Sequence, residues 1–162
     1  LYTPHGGTLH FPEGSPVTSL YTAFERLLER QSDGIIFESA FAATAYAAKI
    51  GVPQCPVRII HNGVGAHDFG GPPLAEDATD LVFIGELRDL KGVHVLLDAI
   101  AALKTTRKVT ATIVGSGPDE ARLRAQCTAL GLDAHVRFTG AMPARAAFSL
   151  GRIVAVPSLK ES

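Results

Sequence analysis

Arg88 and Lys91 stand in a short polar segment, Gly85-Glu86-Leu87-Arg88-Asp89-Leu90-Lys91-Gly92, between two apolar stretches. On the amino side, residues 81–84 read as a buried strand. On the carboxyl side, Val93, Leu96, Leu97, Ile100 and Leu103 recur at helical spacing. Two cations therefore sit between a strand's carboxyl end and a helix's first turn, the place where open α/β sheets take their ligands. A helix start adds unpaired N–H groups and a partial positive charge. The chemistry this combination favours is the holding of an anion, above all a phosphate.

Three other segments offer polar groups in loops. Tyr2-Thr3-Pro4-His5-Gly6-Gly7 reads as a strand end running into a tight loop. Gly6 lets backbone approach a ligand closely, and His5 can donate a hydrogen bond to a sugar hydroxyl. Taken alone, a loop histidine more often caps a carbonyl, and His10 is read as structural. Gly115-Ser116-Gly117 follows a strand and opens a helix. A dinucleotide fingerprint would need a third glycine where Glu120 stands, and Asp119-Glu120 would repel a pyrophosphate at that helix start, so dinucleotide binding is rejected. A tight turn explains those glycines as well as a ligand contact does. Glu161 near a strand end would ordinarily be a solvated carboxylate.

Taken together and in order, these segments resemble the family-4 (group 1) retaining glycosyltransferases, which have the GT-B fold. Gly85, Leu87, Lys91 and Gly92 match that family's Gly-Arg-Leu-x-x-x-Lys-Gly signature, whose Arg and Lys grip the diphosphate of a nucleotide-sugar donor. Glu86 occupies the Arg position here, and Arg88, two residues on, is the guanidinium at hand. Thr3-Pro4-His5 is similar to a segment placed against the donor sugar. Asn62-Gly63-Val64 is similar to the segment where the chain passes between domains. Gly115-Ser116-Gly117-Pro118 resembles a turn lining the floor of the donor cleft. Val136 to Gly140 resembles a strand after which backbone groups meet the nucleotide base, which implies that Ala141 and Met142 lie beside the base. Pro157-Ser158 followed by Glu161-Ser162 resembles the entry to a Glu-x7-Glu motif, whose first Glu contacts the donor sugar.

The resemblance implies a site in which Lys91, Arg88, Glu161 and His5 are catalytic. It implies that Gly85, Gly6, Gly115, Gly117, Ala141, Met142 and Ser162 bind the donor. The implied reaction moves a sugar from a nucleotide diphosphate sugar to an acceptor hydroxyl, on a saccharide or lipid-linked saccharide, with retention of configuration. No cofactor or metal is implied. Two rivals stay open: a sugar-nucleotide epimerase or phosphorylase on the same fold, and a non-catalytic nucleotide-sugar binder in which Glu86 marks a lost arginine.

Composition bounds the partners. The 162 residues are 46% hydrophobic and 19% charged, with a net charge of −1. A nucleic-acid footprint needs a basic excess and is excluded. No apolar run approaches the ~20 residues of a membrane span, so the expected location is cytoplasmic, with peripheral association at the inner face of a membrane compatible with this enzyme class. Cys55 and Cys127 lack metal-ligand spacing and are read as buried or incidental thiols.

The elements that must position the site follow from periodicity. Ser15 and Pro16 open a helix whose stripe of Val17, Leu20, Tyr21, Phe24, Leu27 and Leu28 is expected to pack on a sheet, with Glu25, Arg26, Glu29 and Arg30 off it. Ser39 caps an Ala-rich helix, and strands are expected over residues 34–37 and 57–60. Asn62-Gly63 suits a turn with positive φ. Beyond it, strands and helices alternate, which predicts an α/β fold with parallel sheets. The expected organisation is the later part of an acceptor-binding domain over residues 1–64, a hinge over 65–79, and the first half of a nucleotide-sugar-binding domain over 80–162. A complete enzyme of this kind needs two domains of ~150 residues each. The chain is therefore expected to be a fragment, inactive alone.

Overall fold

The structure is a computed structural model and describes residues 1–4, 16–66 and 69–159. His5, Gly6, His10, Ser15, Glu161 and Ser162 lie outside the described residues. The chain divides into two compact units, Leu1–Val64 and Gly65–Glu161.

The first unit runs α1 (Pro16–Arg30), β1 (Ile35–Phe37), α2 (Ala40–Lys49) and β2 (Val57–Ile59). β1 and β2 pair in parallel with Ile35 opposite Val57, and Tyr2 bridges to Ile35, also in parallel. Ser39 caps α2 as its sequence implies, its Oγ accepting from the Ala42 amide at 3.0 Å. Ile35, Phe37, Ala42, Tyr46 and Ile50 form the core. Phe37 and Tyr46 meet edge-on with ring centroids 5.3 Å apart.

α1 reverses the expected orientation. Leu20, Tyr21, Phe24 and Leu27 are exposed, whereas Glu25 and Glu29 are buried. The carboxylates turn inward because they find partners there: Tyr2 Oη donates to Glu25, and the Gln54 amide donates to Glu29 at 2.8 Å. Arg26 Nε also reaches the Ile50 carbonyl at 2.7 Å. Burial, then the carboxylate of Glu25, pushes the Tyr2 hydroxyl above its ordinary range; burial, then Glu29 and Glu25, does the same to Tyr46. Gly63 departs from expectation too. It takes no positive φ, because no hydrogen-bonded turn forms across residues 60–65.

The second unit runs β3 (Thr79–Ile84), a 3₁₀ turn (Asp89–Lys91), α3 (Val93–Leu103), β4 (Ala111–Val114), α4 (Glu120–Ala129), β5 (Val136–Gly140), α5 (Ala144–Ala147) with a 3₁₀ turn (Phe148–Leu150), and β6 (Gly151–Val154). The four strands are parallel in the order β5-β4-β3-β6. Successive strands step one way from β3 to β5, and β6 then returns to β3's other side. The chain thus reverses its winding between β3 and β6, and open α/β sheets take their ligands at the carboxyl ends of their strands near such a reversal.

Both sheet faces are covered. Phe83, Leu97, Ile100, Ile113, Leu123 and Leu132 pack on one face, and Val82, Val114 and Ala147 on the other. β4 is buried along its whole length, as a central parallel strand should be. Each large apolar side chain buried this way contributes about 1.5–3 kcal/mol. Cys127 belongs to this core, and burial pushes its thiol up.

Asp80 stitches the start of β3 to the approach of β4. Its Oδ2 accepts from both the amide and the hydroxyl of Thr110, each at 2.8 Å. These two bonds, the amide first, hold its carboxyl below the usual range. A depressed folded-state pKa contributes stability above the unfolded value of about 3.9, and loses it as pH falls through the folded value. Denaturant unfolding of the wild type followed by circular dichroism should therefore weaken in acid below about pH 4. Asp80→Asn should flatten that acid limb, and an unchanged limb would remove Asp80 from the account.

Candidate functional site

Three loops leave the carboxyl ends of β3, β4 and β5, and backbone hydrogen bonds lace them together. Gly85 N donates to Val114 O at 3.0 Å, and Gly115 N to Gly140 O at 2.9 Å. Leu87 N donates to Ser116 O and Asp119 N to Leu87 O, both at 3.0 Å. Such contact demands glycine at Gly115. Its φ is 143°, and a Cβ there would stand 1.8 Å from the Gly85 carbonyl.

The laced loops form the floor of an open pocket of about 270 Å³, near the small end of ligand sites at roughly 300 Å³. Gly85, Gly115, Ala141 and Met142 line it, with Ile84 and Val114 at the strand ends and Glu86 and Ser116 as polar members. Four residues that the sequence singles out, from three separate loops, thus share one wall. Gly117 is placed elsewhere: a Cβ on it would lie 2.4 Å from the Leu87 carbonyl, so its smallness serves the packing of two loops.

Arg88 and Lys91 are not among the lining residues. Arg88 is exposed, and its Nη2 donates to Glu86 Oε1 at 3.0 Å. That pair neutralises much of the positive charge the sequence promised. Lys91 ends the 3₁₀ turn and is half-buried. Gly92 follows in the left-handed region with φ 67°, and a Cβ there would stand 2.0 Å from the Pro157 carbonyl. α3 begins directly after Gly92 and has no side-chain cap. Its first amides therefore lack the usual Ser, Thr, Asp or Asn acceptor, and an anion could take that place.

The Lys91 turn is braced from two directions. Arg122 Nη2 donates to Asp89 Oδ1 at 2.9 Å, and Arg122 Nε lies 3.5 Å from Asp119 Oδ1. On the other side, Leu159 N donates to Leu90 O at 2.9 Å. The segment that follows β6 is thereby laid against the Lys91 turn, although its contact, Leu159 to Leu90, joins residues far apart in the chain. Sequence reading missed the Asp89–Arg122 brace and the place of Glu86 on the pocket wall. Neither has a local signal beyond charge, because both depend on which loops meet.

The family model described as glycosyl transferases group 1 matches residues 67–162, and that of glycosyltransferase family 4 matches residues 1–67. The chain is similar to lipopolysaccharide 1,2-N-acetylglucosaminetransferase of Salmonella typhimurium, at 30% identity over 120 residues, covering 68% of this chain and 31% of that protein. It is also similar to 2-deoxystreptamine glucosyltransferase of Streptomyces kanamyceticus, at 28% identity over 144 residues, covering 76% and 35%. Among solved structures it superposes on Anabaena HepE in complex with UDP-glucose with a TM-score of 0.77 and 25% identity, covering 97% of this chain and 46% of that one. Sucrose-phosphate synthase from Thermosynechococcus elongatus gives 0.74 and 20%, covering 98% and 44%. The chain spans about a third of the length of the curated relatives it matches.

Proposed function

Because the chain belongs to the group 1 glycosyltransferases, we propose that the protein moves a sugar from a nucleoside diphosphate sugar to an acceptor hydroxyl. Its fold is α/β with parallel sheets, of the GT-B type. The observation that carries the proposal is the pocket of Gly85, Gly115, Ala141 and Met142 at the carboxyl ends of β3, β4 and β5, with Lys91 further along the loop that begins at Gly85. The HepE structures that this chain resembles contain UDP and UDP-glucose, which supports a nucleotide-sugar donor here.

In this reading the nucleoside enters the pocket beside Ala141 and Met142, where backbone groups face the base. The diphosphate lies toward Lys91 and the uncapped start of α3. Breaking the sugar–phosphate bond leaves negative charge on the diphosphate, and the Lys91 ammonium with the α3 amides stabilises it where it develops. Glu161, Ser162, His5 and Gly6 hold the sugar by the family resemblance, so that the acceptor attacks from the face the diphosphate leaves, with retention. The transferred group is a hexose. Residues 1–64 then serve the acceptor, 65–79 the hinge and 80–162 the donor. No described helix is long and apolar enough to cross a membrane. With a near-zero net charge, a cytoplasmic enzyme that meets saccharide or lipid-linked acceptors, at most peripherally on a membrane, fits best.

The Arg88–Glu86 pair favours a second reading, a nucleotide-sugar binder impaired in transfer. Exposed pairs of this kind are worth about 0.2–1 kcal/mol, so a diphosphate can compete for Arg88. Glu86→Gln frees the guanidinium and removes a negative charge from the pocket wall. It should tighten nucleoside diphosphate binding by about fivefold. A Glu86→Arg variant whose transfer rate rises by orders of magnitude would favour the impaired binder instead. The direct test is calorimetric titration of the intact protein with uridine, guanosine and adenosine diphosphate glucose, paired with a transfer assay. Binding of one of the three is expected; binding of none would end the proposal.

A further inference from the structure

Residues 88–91 carry the cations of the phosphate chemistry proposed above, yet the core does not hold them. Leu87 and Val93 are buried, whereas Arg88, Asp89 and Leu90 between them are exposed. The 3₁₀ turn of Asp89–Lys91 starts without a side-chain cap, and so does α3. A single 3₁₀ turn is weak by itself, because its hydrogen bonds are poorly aligned. Its position must therefore be set by groups outside the loop as well.

The side-chain support converges on Asp89. Its Oδ1 accepts from Arg122 Nη2 at 2.9 Å, and His94 Nδ1 lies 3.6 Å from the same oxygen. Arg122 belongs to the first turn of α4, and its Nε lies 3.5 Å from Asp119 Oδ1. Asp119 N in turn donates to Leu87 O at 3.0 Å. One guanidinium thus spans a residue fixed to the start of the loop and the carboxylate that opens the Lys91 turn. The planar fork suits such a span, because its N–H groups keep a fixed geometry. The docking of α3 has other support: Gln126, one turn further along α4, donates to the His94 carbonyl at 3.1 Å and to Asp98 Oδ1 at 2.9 Å. What Arg122 adds is the placement of the turn, not the packing of the two helices.

We propose that Arg122 is a positioning residue for the diphosphate end of the site: through Asp89 it fixes the turn that ends in Lys91. The proposal rests on the glycosyltransferase reading above and adds a residue to its machinery. Arg122 acts through Asp89 and Lys91 and touches no substrate. Magnitudes separate this role from a structural one. The Arg122 and Asp89 side chains are 49% and 65% exposed, and exposed ion pairs contribute little to folding, since water screens them. Displacing a group by about 1 Å at a reacting centre, in contrast, can cost about 10²-fold in rate. Loss of Arg122 is therefore slight in stability and plain in turnover. Because Lys91 acts on charge that appears in the transition state, the loss falls on kcat more than on KM.

The test follows release of nucleoside diphosphate from uridine, guanosine or adenosine diphosphate glucose, whichever the intact protein binds. Arg122→Gln and Asp89→Asn should each lower kcat by about tenfold, change KM by less than about threefold and shift the melting temperature by less than about 4 °C. Arg122→Lys should recover part of the rate, since an ammonium keeps the charge but cannot span both carboxylates. In a Lys91→Ala background, Arg122→Gln should cost less than about twofold more, because changes that act through one group do not add. Wild-type kcat in Arg122→Gln overturns the proposal, as does a tenfold loss that persists in the Lys91→Ala background. A clear fall in melting temperature makes Arg122 a structural residue and overturns it too. Full turnover by Lys91→Ala instead removes the phosphate reading itself, which distinguishes that failure from a failure of Arg122 alone.

Discussion

Lys91→Ala is expected to lower turnover of the nucleotide sugar by about 10²–10³-fold, the loss typical of removing one donor aimed at a developing anion. The change should leave the fold in place. Lys91 ends a short 3₁₀ turn whose course is set by backbone: Lys91 N donates to Arg88 O at 2.9 Å, Gly92 N to Asp89 O at 3.0 Å, and Leu159 N to Leu90 O at 2.9 Å. None of these bonds needs the side chain. The α3 amides also remain, so residual donor binding should persist. Lys91→Arg should recover only part of the loss, because a planar guanidinium cannot occupy the position of a compact ammonium. Calorimetric affinity for UDP and the transfer rate, with circular dichroism as the control for folding, check the prediction. Undiminished transfer by Lys91→Ala would remove the diphosphate from this loop and leave the pocket without its chemistry.

Gly115→Ala should be the most damaging single methyl group in the second unit. Two separate faults coincide there. The backbone sits at φ 143°, which side-chain-bearing residues rarely adopt, and the new Cβ would fall 1.8 Å from the Gly85 carbonyl, itself backbone and unable to rotate away. Relief requires the β3 and β4 loops to part, which breaks the Gly85–Val114 hydrogen bond and opens the pocket wall. The expected cost exceeds about 3 kcal/mol, seen as a large fall in the urea midpoint, and UDP binding should vanish. Gly140→Ala is the matched control. Gly140 also has positive φ, 78°, but nothing lies within 4 Å of where its Cβ would be. Strain alone should cost about 1–2 kcal/mol there. Similar losses at both sites would mean that the Gly115 contact does not hold the loops.

Local chemistry alone was enough to reveal much of this chain. The 3.6-residue spacing from Val93 to Leu103 marks α3 to its observed ends, and the Ser39 cap is where the side chain predicts it. The alternation of apolar strands with helices after residue 79 likewise announces the parallel sheet. These features depend on neighbours within about four residues, so the sequence contains their cause. The segment from Gly85 to Gly92 is legible for the same reason: a strand end, a polar turn and a helix start are adjacent in the chain.

What tertiary structure decided are the meetings between distant residues. Succession along the chain does not say that β6 returns to the far side of β3, nor that Gly85, Gly115, Ala141 and Met142 share a wall. Arg88 looks available as a string of letters, yet it pairs with Glu86. α1 shows the point most clearly. Its apolar stripe implies one orientation, but Tyr2 and the Gln54 amide, 23 and 25 residues away from their carboxylates, draw Glu25 and Glu29 inward instead. Periodicity records how apolar a face is. It cannot record whether the opposite face will find hydrogen-bond donors, and for a carboxylate that decides whether burial is tolerable.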